Sequence, residues 1–155
     1  MVQRFLPLVL CAITWSSAAL AQNTPREEDA IVGTWLTADG KARIQISRTD
    51  AIYWGKIVWL REPLKEGKPV VDTKNPDEKL QSQPVLGMTL MRGFEYDGDH
   101  VWSGGKVYDP DSGNDYSGKI TLVNDSTLDL RGYVLVPLFG RTETWTRLHD
   151  PPPEH

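Results

Sequence analysis

Apolar and polar residues alternate with period two over Ala42–Arg48, with Ala42, Ile44 and Ile46 on one side and Arg43, Gln45 and Ser47 on the other. That is the pattern of a half-buried strand. Val32–Thr37 reads as a strand before it and Ala51–Leu60 as a longer one after it, with Ala38–Lys41 and Thr49–Asp50 as turns. Ala51–Leu60 is apolar on both faces, so one face is expected to line a cavity and the other to meet a covering element. Arg61–Pro84 breaks the rhythm. It carries Pro63, Pro69, Pro76 and Pro84 among many charges, and it is expected to cover one mouth of the fold or to pack outside its wall. Leu80–Leu90 has room for a short helix, which Pro84 and Gly87 limit. The β pattern then resumes. Gly93–Tyr96 and His100–Tyr108 flank Asp97-Gly98-Asp99, a hairpin signal; Tyr108–Gly118 reads as a turn-rich loop. Lys119–Val123 and Thr127–Val134 flank Asn124-Asp125-Ser126, and Arg141–Leu148 is the last strand. About eight short strands, turn signals roughly every eight to twelve residues and no long amphipathic helix predict an antiparallel all-β barrel or sandwich.

The front of the chain has a different character. Arg4 precedes a nearly unbroken apolar run from Phe5 to Trp15, and Ala19-Leu20-Ala21 follows. A charged start, a short apolar core and an Ala-x-Ala site make a signal peptide over 1–21, with cleavage expected after Ala21. The run is too short to span a bilayer, which takes about 20 residues. Residues 22–30 are expected to form a flexible leader, and 149–155, with Pro151-Pro152-Pro153, a disordered tail. Removing 21 of 155 residues leaves 134, the size of one domain, here 31–148. Cys11 lies in the removed segment, so the working protein is expected to have no disulfide. Without Arg4, 16 Lys and Arg stand against 21 Asp and Glu, a formal charge of −5. An acidic chain with no Lys/Arg run argues against nucleic acid and anionic membrane surfaces, and no second apolar segment is long enough for a membrane-spanning helix.

Several stretches carry a family likeness. They are Gly33-Thr34-Trp35, Gly55-Lys56-Ile57-Val58-Trp59-Leu60, Asp72-Thr73-Lys74-Asn75-Pro76-Asp77, Gly104–Gly113 (GGKVYDPDSG), Leu130-Arg131-Gly132-Tyr133 and Pro137–Arg147 (PLFGRTETWTR). Together they resemble the domain of unknown function 2147 family, small exported proteins of Gram-negative bacteria, over roughly Ile31–Leu148. The resemblance implies an eight-stranded lipocalin-like, or calycin-type, barrel, a periplasmic or secreted location, and no established activity. Two positions depart from the family's habit: Gln83 stands where an arginine is usual, and Tyr53-Trp54-Gly55 where a cysteine often precedes the glycine. In such barrels a Gly-x-Trp on the first strand and an arginine on the last close one end, the indole as plug and the guanidinium stacked on it. Gly33, Trp35 and Arg147 fit that arrangement as a structural closure.

The chemistry-bearing residues are sparse. Asp109-x-Asp111-x-Gly113-x-Asp115 has Asn114 and Ile120 where an EF-hand needs glycine and a bidentate glutamate, so it reads as a tight turn. His100, His149 and His155 have no zinc-ligand spacing, and there is no Gly-x-Ser-x-Gly elbow. No metal, cofactor or catalytic set is therefore expected. Catalysis in the barrel would need groups such as Asp109, Asp111, Asp115, His100, Tyr108 and Tyr116 to converge on one pocket. Trp54, Trp59, Trp102, Tyr108, Tyr116, Tyr133 and Trp145 form a dense aromatic set. The first six, with Arg131 and Arg141 for an anionic group, are the candidate ligand contacts; the alternative is a solid core or cross-strand pairs. The expected function is binding of a small hydrophobic or amphipathic molecule in the cell envelope. The alternative is docking to an envelope protein or sugar polymer through the 61–84 excursion.

Overall fold

Antiparallel pairing runs all the way round this chain and returns to its start. The computed structural model describes residues 26–149; the expected signal peptide, the first part of the expected leader and the last six residues of the expected tail lie outside them. The strands are β1 (Gly33–Leu36), β2 (Ala42–Thr49), β3 (Ile52–Leu60), β4 (Leu64–Lys65), β5 (Lys68–Pro69), β6 (Thr89–Gly98), β7 (Val101–Ser103), β8 (Lys106–Asp109), β9 (Asn114–Asn124), β10 (Thr127–Tyr133) and β11 (Gly140–Leu148). The sheet runs β1, β2, β3, β6, then β7 with β8, then β9, β10 and β11, and β11 pairs back onto β1. Because β7 and β8 share one place between β6 and β9, the result is a closed eight-stranded antiparallel barrel. The small β4–β5 ribbon stands apart, in the excursion.

The shared place is broken at Gly104-Gly105 for a steric reason. The Phe94 ring lies across two backbones: a Cβ at Gly105 would sit 2.3 Å from Phe94 Cδ2, and one at Gly118 would sit 2.3 Å from Phe94 Cζ. Only glycine at both positions admits the ring, so these glycines are packing residues. Two loops differ from the sequence reading. The hairpin after β6 turns at Asp99-His100, both at positive φ (51° and 60°), with Gly98 and Val101 already paired. β9 begins at Asn114, so the 108–118 loop shrinks to a turn at 110–113, with Gly113 at φ 75°. Residues such as Asn114, Asp115 and Ser117 are exposed or half-buried strand positions, where a polar residue is at home and a sequence reading sees a loop.

One end of the barrel is sealed. Trp35 is fully buried, and the Arg147 guanidinium lies 4.2 Å from its ring centroid. Trp35 Nε1 donates to Ile31 O at 2.9 Å. Arg147 donates to Val32 O at 2.9 Å, to Asp125 O at 2.5 Å and to Ala30 O. A Cβ at Gly33 would sit 2.7 Å from Arg147 Nη1. The leader joins this seal. Glu27–Asp29 form a 3-10 turn, Glu28 O accepts from Trp102 Nε1 at 3.1 Å, and Arg48 pairs with Glu28 and Asp29 at 2.7 and 2.9 Å. The expectation of a flexible leader is thus corrected for 27–30. Main-chain carbonyls and the two carboxylates paired with Arg48 hold the segment, and the carbonyl contacts leave no mark in side-chain composition. Tyr53, Phe94, Trp102, Ile120 and Leu128 fill the interior above the seal.

Truncating the plug as Trp35→Ala is expected to cost about 3–5 kcal/mol, as large aromatic truncations do. Gly118→Ala, which must displace Phe94, is expected to cost roughly 1–3 kcal/mol. Urea unfolding of both variants tests this; an unchanged midpoint for either removes its packing role.

Candidate functional site

The other end of the barrel is open. A cavity of about 1250 Å³ opens at the end where β1, β3, β8 and β10 finish. Its deep wall is apolar: Ile44, Ile57, Leu90, Val107, Leu130 and Trp145, one each from six strands. Period-two alternation aims all of them inward. The rim carries charges of both signs, with Arg61 and Arg141 among the cations and Glu62, Asp109 and Glu143 among the anions. Trp145 Nε1 donates a long hydrogen bond, 3.5 Å, to Glu143 Oε2. An apolar wall beneath a charged rim suits a small-molecule site.

The 61–84 excursion builds the rest of the rim. It doubles back on itself: Val71 bridges to Pro84, Asp72 N donates to Gln83 O, and Val85 N to Val70 O. Val85 is buried with the core. The expected helix near Leu80 is only a 3-10 turn, Glu78–Leu80, capped by Asp77; Gln83 and Val85 are extended because they pair with residues 70–72.

The excursion is fastened to the barrel by one buried polar contact. Asp72 is 1% exposed. Its carboxylate accepts from Tyr108 Oη, 2.9 Å from both oxygens, and from Asn75 Nδ2 at 2.7 Å. Burial, reinforced by the Asp72 carboxylate, pushes the Tyr108 phenol up to about 12. Beside it, Lys74 Nζ donates to Asp111 O at 2.6 Å, and a Cβ at Gly113 would sit 2.0 Å from Lys74 O. The Asp72–Asp77 motif and the Gly104–Gly113 motif are therefore the two halves of one clasp at the cavity rim.

Of the eight sequence candidates, Tyr108, Tyr116 and Arg141 line the cavity. The other five do not. Trp102 is buried toward the sealed end, with Glu28 O on its indole. Trp54 faces outward, donating to Thr49 Oγ1 at 3.2 Å; Trp59 stacks under Arg43 at 4.5 Å on the outer wall. Arg131 and Tyr133 sit on the outer face of β10, and Arg131 donates to Pro137 O, Leu138 O and Thr142 Oγ1. Trp54 and Trp59 are half-buried on the outer face of β3, paired across the strands with Ser47 and Arg43. Of the six groups considered for catalysis, Tyr108, Asp109, Asp111 and Tyr116 line the cavity, whereas Asp115 and His100 do not. Asp109 caps its own turn, Asp115 pairs with Arg92 at 2.8 Å, and His100 lies 3.7 Å from Glu27 at the sealed end. Among the described residues no cluster of His, Cys, Asp or Glu has a metal-binding arrangement. The deep apolar wall was missed because an aromatic count does not see it; inward parity along each strand does.

The model of a family described as "Uncharacterized protein conserved in bacteria (DUF2147)" matches residues 33–147, and the chain belongs to that family. No curated protein matches the chain. Among solved structures it is similar to HP1028 of Helicobacter pylori, described as belonging to the lipocalin family. The TM-score is 0.68 at 20% identity, over 77% of this chain and 83% of that one. A redesigned β-barrel also aligns over 81% of this chain and 96% of its own, at 13% identity and a TM-score of 0.41. The first likeness shows the fold, a lipocalin-like barrel.

Tyr108→Phe leaves a buried carboxylate short of a donor and is expected to cost about 1–3 kcal/mol, with faster tryptic cleavage in 61–84. A folded-state phenol pKa of about 12 lies above the ordinary value of 10.0. Its contribution to stability is therefore complete below about pH 10 and lost as pH rises through about 12. Phenolate absorbance should show one late-titrating tyrosine that moves earlier in Asp72→Asn.

Proposed function

We propose that this member of the DUF2147 family is a carrier or sensor that binds a small, partly apolar molecule in the cell envelope. The observation that carries the reading is the asymmetric barrel. One end is sealed by Trp35 and Arg147, and the other holds an apolar-walled cavity open at a charged rim. The apolar part of the ligand lies against Ile57, Leu90, Leu130 and Trp145, and its polar end reaches Arg141 and Glu143 at the mouth. The signal-peptide pattern of residues 1–21 supports an exported, periplasmic or secreted protein.

An amphipathic anion, 1-anilinonaphthalene-8-sulfonate, serves as the first probe. It is expected to bind with a blue-shifted emission and to quench Trp145. Leu130→Trp, which sets a bulky ring into the apolar wall, should weaken binding while the far-ultraviolet spectrum stays unchanged. Arg141→Gln should weaken it roughly tenfold, the loss of about one charged contact. Native mass spectrometry of protein purified from its own cells then identifies the natural occupant. Equal probe binding by Leu130→Trp, with no co-purifying molecule, would overturn the carrier reading. An intact mass beginning at Gln22 in the periplasmic or culture fraction tests export.

A further inference from the structure

The β10–β11 connection is the most apolar exposed surface among the described residues. Val134, Leu135, Val136, Leu138 and Phe139 are 58, 91, 46, 78 and 76% exposed. Most of a folded surface shows single apolar residues; five within six consecutive positions are a patch. Leu135 is held at φ 69°, a conformation that leucine avoids, so the backbone bears a cost to keep this tip projecting. The loop stands at the open end, directly after Gly132 and before Arg141, which both line the cavity.

A second feature adjoins it. Strand register gathers cations that the sequence disperses. On the outer wall Arg131 faces Lys119 across β10 and β9, Lys106 donates to Ser117 on β9 at 2.9 Å, and Arg92 faces Lys106 across β6 and β8. Four cations thus cross four adjacent strands below the loop. Arg92 pairs with Asp115, whereas Lys106, Lys119 and Arg131 have no carboxylate partner among the described residues. Arg131 belongs to both features. Its guanidinium donates to Pro137 O at 2.6 Å and to Leu138 O at 3.3 Å, which bends the apolar loop over the end of the basic row.

We propose that the 134–139 loop and the Arg92–Lys106–Lys119–Arg131 row together dock the barrel on an anionic lipid surface, loop inserted and cavity mouth at the membrane. An apolar tip beside a basic patch is the combination that holds proteins at a bilayer interface: apolar burial anchors, and cations meet anionic headgroups. The alternative of a second copy or a protein partner is disfavoured by size. A stable protein interface takes about 20–30 residues on each side, and this tip offers six, convex and ringed by charge. The net negative charge of the whole chain does not decide the matter, since screening limits the reach of a surface charge to about 8–10 Å at physiological salt. The docking is independent of what the cavity holds.

The test is flotation of the full chain, as isolated from its cells, with vesicles of phosphatidylcholine alone or mixed with phosphatidylglycerol. The protein is expected to float with the mixed vesicles and to be released as salt rises. The double variant Leu138→Asp/Phe139→Asp should lose roughly tenfold or more of the bound fraction. Lys106→Gln/Lys119→Gln should lose the preference for phosphatidylglycerol and the salt dependence while keeping weak binding. Circular dichroism and melting temperature show that both remain folded; Arg131 is left intact because it braces the loop. Absence of flotation on either vesicle, or equal flotation of the loop variant, overturns the proposal. So does sedimentation showing that the wild type pairs through the loop without binding lipid.

Discussion

The contact on which the rest of this structure depends is the guanidinium of Arg147 over the indole of Trp35. A cation from the last strand and an aromatic from the first meet at 4.2 Å, and both are then tied to main-chain carbonyls of residues 30–32. Burial lowers the Arg147 pKa, opposed by Asp125, yet an arginine starts so high that it keeps its charge at neutral pH. The seal therefore couples three things that are separate in sequence: closure of the sheet, ordering of the 27–30 segment, and the choice of which end stays open. A barrel sealed at both ends would be a solid core; one sealed at neither would have water throughout. Sealing one end gives the molecule an axis.

The other end is shaped by a second, different device. Its excursion has few buried apolar residues of its own, Val85 aside. It is positioned by polar groups: a buried aspartate with tyrosine and asparagine donors, a lysine on a carbonyl, and a glycine that lets two backbones touch. A buried carboxylate is costly unless its lone pairs are occupied. Asp72 therefore specifies one seating of the excursion, because Asn75 travels with it and only this seating adds Tyr108 of the barrel. This explains why two motifs some thirty residues apart, one with Asp72, Asn75 and Asp77 and the other with Asp109, Asp111 and Gly113, are rich in turn-forming residues without forming an active site.

Much of the architecture could be read from local chemistry. Alternation over Ala42–Arg48, the turn at Thr49–Asp50 and the Gly33-x-Trp35 signature state their structure in side chains alone, and the strands follow. What stayed hidden depends on groups or relations that a sequence does not display. The 27–30 segment is held by carbonyls and by Arg48, which is distant in sequence. Asn114–Ser117 is strand because its polar side chains point away from the core. Gly104-Gly105 breaks a strand for the sake of a ring ten residues earlier. The ligand candidates divide for a related reason: Trp54 and Trp59 carry as much aromatic surface as Trp145, but strand parity and the bulge beside Arg43 put them outside.

Parity also governs charge. In sequence Arg92, Lys106, Lys119 and Arg131 lie twelve or more residues apart, each near an acidic residue or a glycine, and together they make no basic run. Antiparallel pairing sets them in one row because each falls on an outward position and each pairs, directly or through Ser117, with its neighbour. A closed barrel makes such rows unavoidable, since every outward position has two lateral neighbours and there is no edge to end them. The composition of a β-barrel therefore constrains its net charge but not its charge pattern. In this chain an acidic whole carries a basic face, and that face stands beside the apolar loop at the open end of the axis that Trp35 and Arg147 define.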